Sequence, residues 1–197
     1  MAFSRSDPAA DQLLLSRIAQ GDSGALGEFY DRFSGQAFGL ITGILRDRSE
    51  AEDVLQEVFV RIWERAATYN AALGTPAAWM IGIARNRAID RLRARAARPE
   101  FADCSCVESK ADANVTGNPE ALAATSEKRQ TVLSALSALS PEQRMLIEHA
   151  YYLGYTQSEL AAHFRMPLGT VKTKIRAGML ALKQHLLAGS DSAVAQS

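Results

Sequence analysis

The sequence is poor in the residues that most often carry chemistry. Its 197 residues include two cysteines, three histidines, two tryptophans and six prolines. The cysteines stand together as Cys104-Ser105-Cys106. One such pair cannot staple a small secreted domain, so a reducing compartment is expected. A zinc site needs a second ligand pair of similar spacing, and His149, His163 and His185 lie far apart in sequence. No apolar run approaches the ~20 residues of a membrane-spanning helix. The start, MAFSRSDPAADQLLLSRIAQ, offers only Leu13–Leu15, too short for the core of a signal peptide. Glycine-rich phosphate loops, nucleophile elbows and paired carboxylates on a rigid element are also missing. The expectation is a soluble, cytoplasmic protein that is not an enzyme, holds no metal or other cofactor, and makes no membrane contact of its own.

The zero net charge conceals blocks. Residues 1–60 carry five basic and ten acidic side chains, and residues 76–98 carry six arginines against Asp90. Residues 99–127 set Lys110 against six acids, and residues 141–187 hold six basic groups against three acidic ones. Two basic blocks separated by an acidic one suggest two surfaces that face a polyanion, with an acidic connector between them.

The fold class expected is all-α. Ala, Leu, Arg, Glu and Gln dominate, and no four-residue run alternates as a β-strand does. Helix starts are marked by capping boxes at Ser49–Glu52, Ser140–Gln143 and Thr156–Glu159, and more weakly by Thr75-Pro76. The segment from Arg98 to Thr125, with Pro99, Gly117, Asn118 and Pro119, reads as a linker with a short helix after Pro119. The expected organisation is therefore two small helical domains, 1–98 and 128–190, joined by a flexible acidic linker over 99–127. A frayed tail is expected over 191–197, with the last helix ending near Leu187.

The C-terminal domain carries the clearest motif. In TQSELAAHFRMPLGTVKTKIRAGMLALKQHL a capped helix over Thr156–Phe164 is followed by a turn and a second helix from about Gly169. Leu160, Ala161, Phe164, Val171, Ile175, Met179 and Leu182 are expected to be buried, with Met145, Leu146, Ile147, Ala150 and Leu153 from the preceding helix. This is a helix-turn-helix pattern, whose second helix enters the DNA major groove. Thr170, Lys172, Thr173, Lys174 and Arg176 lie near its start, where hydroxyls suit phosphate and basic groups reach guanine edges or the backbone.

In the N-terminal domain, DRSEAEDVLQEVFVRIWERA is an amphipathic helix with Val54, Leu55, Val58, Phe59 and Ile62 as its buried stripe. Asp53, Gln56, Glu57, Val60 and Glu64 fall on the other side. The next helix, TPAAWMIGIARNRAIDRLRARAAR, places Arg87, Arg91 and Arg95 on one ridge. Trp79 stands at its start, after a loop holding Tyr69 and Asn70. Basic side chains beside aromatics supply what single-stranded DNA requires, neutralised phosphates and a stacking surface. Trp79 serves either as that surface or as a core residue; the two roles are compatible.

The order of these motifs resembles bacterial sigma factors of the extracytoplasmic-function group of the sigma-70 superfamily. DRSEAEDVLQEVFVRIWE resembles the region 2 helix that docks on the clamp of RNA polymerase. ATYNAALGTPAAWMIGIARNRAIDRLR resembles the loop and helix that meet the −10 element, and LSPEQRMLIEHAYYLGYTQSELAAHFRMPLGTVKTKIRAGMLALK resembles region 4, which reads the −35 element. The resemblance covers about residues 12–98 and 128–187. It implies a transcription initiation factor whose partners are core RNA polymerase (the clamp of its largest subunit and the flap of its second), promoter DNA and an inhibitory anti-sigma factor. By position it implies polymerase contact for Asp53, Gln56 and Glu57, and −10 contact for Tyr69, Asn70, Trp79, Asn86, Arg87 and Arg91. It implies −35 contact for Thr170, Lys172, Thr173, Lys174 and Arg176. The chain departs from the family at Asn70-Ala71, where Asp-Pro is common, at Leu73 before Gly74, where a basic residue is common, and after Ile175. Base preferences are therefore not carried over. An autonomous helix-turn-helix regulator, a helical adaptor and a nuclease remain as rival classes. The first leaves the arginine ridge idle, the second predicts no DNA contact, and the third needs carboxylates grouped in space.

Overall fold

A computed structural model describes the backbone of residues 7–97 and 133–194, with side chains as far as residue 186. Every regular element among the described residues is helical. The chain divides into two compact units, and each is described by itself. Cys104, Cys106, the expected linker and the short helix after Pro119 lie outside the described residues.

The N-terminal unit is a four-helix bundle: α1 (Pro8–Ala19), α2 (Ser23–Leu45), α3 (Arg48–Arg65) and α4 (Pro76–Ala96). Each start is capped by a short polar side chain. The Asp7 carboxylate accepts from Ala9 N at 3.0 Å, Asp22 from Ala25 N at 3.0 Å, and Thr75 Oγ1 from Ala78 N at 3.2 Å. The turn between α1 and α2 is possible because Gly21 adopts φ +87°, a conformation that costs glycine nothing. The start of α3 corrects the expectation for Ser49. Asp47 is the N-cap, accepting from Glu50 N at 3.0 Å, and Ser49 lies inside the first turn. Arg46 in the left-handed conformation ends α2 and leaves Asp47 at the next cap, so the cap falls at Asp47 rather than Ser49 and the helix begins at Arg48 rather than Glu50.

The core gathers one stripe from each helix. Phe29, Phe33, Ala37 and Ile41 recur at four-residue steps along α2, and Val54, Leu55, Val58, Phe59 and Ile62 bury the expected stripe of α3. Phe29 meets Phe33 with ring centroids 4.5 Å apart and meets Phe59 edge-on at 6.5 Å. From α4 come Met80, Ala84 and Ala88, all fully buried. The small side chains of Ala84 and Ala88 let α4 approach α2 and α3 closely. Asp11 of α1 is buried too, and the Arg32 guanidinium donates to it. Without that partner a buried carboxylate would be strongly destabilising.

The C-terminal unit contains a short helical turn over 133–137, then α5 (Pro141–Tyr152), α6 (Gln157–His163) and α7 (Leu168–Val194). The capping boxes at Ser140 and Thr156 are both formed in full. Leu146, Leu160 and Val171 make the buried centre, with Ala150, Ala161, Phe164 and Ile175 packed around them. Two expected core residues are not there. Met179 is 54% exposed and Leu153 41% exposed. At the α5–α7 crossing the contact is made by Gly178 instead, where an added Cβ would stand 2.7 Å from Ile147 Cδ1 and 3.3 Å from Gln143 Cβ. The helices are too close there for a side chain, and the next residue points away. Backbone helix continues to Val194, beyond the end expected near Leu187 and into the segment expected to fray. No proline follows Leu187, and extending an existing helix is far easier than nucleating one.

Two glycines give opposite expectations. Gly39 lies on the exposed side of α2 with nothing within 4 Å of an added Cβ, so Gly39→Ala should stabilise its unit by about 0.5–1 kcal/mol. Gly178→Leu should destabilise the C-terminal unit by about 1–3 kcal/mol through overpacking. Denaturant unfolding followed by circular dichroism measures both, and a stabilised Gly178→Leu would contradict the close crossing.

Candidate polymerase and DNA interfaces

On the surface of α3, Asp53 and Gln56 are exposed, as is Val60 (57%), and Trp63 is partly exposed beside them. Glu57 is half-buried. An open depression of about 580 Å³ is lined by Asp53, Gln56, Glu57, Val60, Arg61 and Glu64 on the α3 side and by Arg87 and Arg91 on the α4 side. The amphipathic pattern of α3 places these groups: its apolar stripe faces α2 and α4, so its polar stripe must face out.

The arginine ridge of α4 is present but is not a free basic edge. Glu57 bridges two of its members: Arg87 donates to Oε2, and Arg91 Nη2 donates to Oε1 at 2.8 Å. Arg95 repeats the arrangement one turn on, with Nη1 3.5 Å from Glu50 Oε2 and 3.4 Å from the Leu45 carbonyl. The expected polymerase residue Glu57 and the expected DNA residues Arg87 and Arg91 therefore form one ion cluster. Burial pushes the Glu57 carboxyl up, but hydrogen bonds and charge from Arg87, then Arg91, outweigh it and hold the group below the usual range. Asn86, on the same helix, is exposed.

The loop between α3 and α4 is built by its own side chains. Two single turns of 3-10 helix, Ala66–Thr68 and Ala71–Leu73, flank Tyr69 and Asn70. The Tyr69 hydroxyl donates to the Gly74 carbonyl at 2.8 Å, and its ring meets Trp79 edge-on at 5.7 Å. The Asn70 side chain accepts from Ala72 N at 2.9 Å. Trp79 packs against the bundle core while remaining partly exposed, so the structure allows both roles considered for it. Gly74, at φ +150° and ψ 177°, holds a conformation essentially reserved for glycine. The loop tip exposes the departure noted at Leu73, which is 87% exposed. Its signal was its place in the sequence, where an apolar residue replaces the basic one common in the family.

In the C-terminal unit, Lys172, Thr173 and Arg176 are exposed on the first turns of α7, and Thr170 and Lys174 are partly covered. Thr173 Oγ1 donates to the Gly169 carbonyl at 2.9 Å, and Lys174 pairs with Glu142 of α5. Lys172 and Arg176 are four residues apart and share a face. Among the described residues no cluster of three or more His, Cys, Asp or Glu could hold a metal ion, and no helix is long and apolar enough to cross a membrane.

A helical bundle with an exposed carboxylate and amide strip, an aromatic loop and an arginine helix, and a separate helix-turn-helix unit, is the arrangement that the resemblance to sigma factors leads one to expect. Family comparison agrees: residues 29–98 match Sigma-70 region 2 and residues 129–182 match Sigma-70, region 4. The ECF RNA polymerase sigma factor SigK of Mycobacterium ulcerans (strain Agy99) is 33% identical over 177 residues, 88% of this chain and 91% of that protein. SigK of Mycolicibacterium vanbaalenii is also 33% identical, over 88% of this chain and 87% of its own length. Among solved structures, Rhodobacter sphaeroides SigE in complex with the anti-sigma ChrR is 27% identical, spans 90% of this chain and 99% of that one, and gives a TM-score of 0.46. The chain belongs to the sigma-70 family, in its extracytoplasmic-function group, and is a promoter-directing sigma factor of RNA polymerase.

Acid should weaken the N-terminal unit. Asp22, held low by the Ala25 N–H and by Arg17, and Glu57 both ionise below their ordinary values. Each contributes stability that is complete above the ordinary value, 3.8 for Asp and 4.5 for Glu, and that is lost as pH falls through the lowered native value. The thermal midpoint should fall on acidification below pH 4.5, and Glu57→Gln should make that decline shallower. An identical acid limb in the variant would show that the arginines do not hold Glu57.

Proposed function

We propose that this sigma factor docks on core RNA polymerase through the exposed strip of α3, centred on Asp53, Gln56 and Glu57. On this reading the promoter is met at two places. The α3–α4 loop and α4, through Tyr69, Asn70, Trp79, Asn86, Arg87 and Arg91, take the non-template strand of the −10 element. The start of α7, through Thr170, Lys172, Thr173, Lys174 and Arg176, takes the −35 duplex. The observation that carries the reading is the neighbourhood within one bundle of an acidic and amide strip, a self-braced aromatic loop and an arginine helix.

The chemistry is binding, not bond-making. An unstacked base costs a few kcal/mol to extract. Stacking against an aromatic surface returns about 1–3 kcal/mol per base, and paired phosphates add a salt-dependent gain. A loop whose Tyr69 and Asn70 are already hydrogen-bonded loses little freedom on accepting that base. The −35 contact needs two or three side chains at a helix start, and Lys172 and Arg176 share one face there. Core polymerase and promoter DNA are thus the partners, with the cytoplasm as the place of action. An anti-sigma factor that covers the exposed apolar groups Val60 and Trp63 is the inhibitor expected from the family.

Co-elution of the full chain with bacterial core polymerase on a sizing column tests the reading directly. Gln56→Ala should lower core affinity by about tenfold, roughly 1.4 kcal/mol, while leaving the melting midpoint in place. Unchanged affinity would remove α3 from the interface. Lys172→Ala should reduce promoter binding by the holoenzyme and leave core affinity alone; equal loss of both would argue against a −35 role. A folded chain that elutes apart from polymerase would favour the autonomous DNA-binding regulator.

A further inference from the structure

The proposed polymerase face and the proposed −10 face lie on different helices, yet Glu57 belongs to both. Each of its oxygens takes a separate guanidinium, Arg87 on Oε2 and Arg91 on Oε1. The triad sits at the surface rather than in the core: the side chains are 35% exposed for Glu57, 26% for Arg87 and 33% for Arg91. The Arg87 Nε is buried without a hydrogen-bond partner, so that guanidinium is not fully satisfied where it lies. Asp90 also stands beside the pair, 3.9 Å from Arg87 Nη1, and its side chain is 63% exposed. Ion pairs this accessible are weak and exchange readily.

We infer that Glu57 is a shared counter-ion that couples polymerase docking to −10 DNA binding. In the free chain it neutralises Arg87 and Arg91 and holds them against α3. A basic surface that covers α3 and takes the Glu57 carboxylate releases both guanidiniums to phosphate. The free chain then binds DNA weakly, and the docked chain binds it well. The coupling is reciprocal: DNA that draws the arginines away leaves Glu57 available to polymerase. Glu57 is a positioning residue for DNA, acting through the arginines and touching no nucleotide. The inference rests on the assignment of α3 to polymerase and α4 to DNA made above, and it explains why two interfaces with opposite charge are built on adjacent helices.

The test is fluorescence anisotropy of the full chain, without polymerase, on a fluorescein-labelled single-stranded oligonucleotide of mixed sequence, across roughly 50–200 mM salt. Glu57→Gln keeps the shape and removes the charge. It should bind roughly threefold to tenfold more tightly than wild type, as expected for two weak pairs removed. Its salt slope should be steeper by about 1.4, or about 0.7 for each added phosphate contact on a single strand. Glu57→Asp, which keeps the charge, should return affinity towards wild type, a rescue that a merely structural role does not predict. Adding Arg87→Ala and Arg91→Ala to Glu57→Gln should abolish the gain. If Glu57→Gln binds as wild type while the two arginine variants weaken binding, the counter-ion role is overturned and the DNA-binding role of α4 stands. If the arginine variants change nothing in either background, nor in promoter complexes with polymerase, the assignment of α4 to DNA fails as well.

Discussion

The close approach of α4 to α2 and α3 is the constraint on which the N-terminal unit depends. It is made possible by alanines. Ala84 and Ala88 are fully buried where larger side chains would hold the helices apart, and Ala37 and Ala51 are equally buried on the facing helices. The same approach brings the arginines of α4 within reach of the carboxylates of α3. Packing and electrostatics are therefore one problem. The alanine seam sets the distance, and Glu57 and Glu50 neutralise cations that would otherwise repel one another along the ridge.

That arrangement changes the meaning of the charge blocks. An acidic first half and an arginine-rich fourth helix suggest two surfaces with two separate partners. In the folded unit they are partly each other's partner. Asp53 and Gln56 on α3, the aromatic loop, and Asn86 on α4 lie outside that cluster. The loop is rigid for local reasons, through the Tyr69 hydroxyl on the Gly74 carbonyl and the Asn70 side chain on Ala72 N. Its most exposed side chain is the apolar Leu73.

The C-terminal unit follows a simpler logic. Its buried centre is small, and two complete capping boxes together with the close α5–α7 crossing at Gly178 add to what Leu146, Leu160 and Val171 supply. Capping interactions of this kind contribute about 1 kcal/mol each, a substantial fraction for so small a core. The basic start of α7 stands clear of that core, with Lys174 drawn back to Glu142.

Much of this was legible in the sequence because it is local. Helical class follows from composition and from the 3.6-residue spacing of Val54, Leu55, Val58, Phe59 and Ile62. The boxes at Ser140 and Thr156 follow from residues three apart, and the order of motifs carries the family. Where local reading failed, a neighbour decided. Asp47 displaced Ser49 as cap because Arg46 turned the chain first. Met179 faces out because Gly178 occupies the crossing. The helix runs on to Val194, past Gly189, because extending an existing helix costs less than nucleating one. Pairing across helices was not legible at all. Glu57 and Arg87 are thirty residues apart, and Glu57 and Arg91 thirty-four. By itself the sequence determined which residues are charged, which stripe of each long helix is apolar and which helix each residue belongs to, since these depend on periodicity and composition. Only the tertiary structure decided which charges meet, because the distance between two helices is set by side chains far away along the chain.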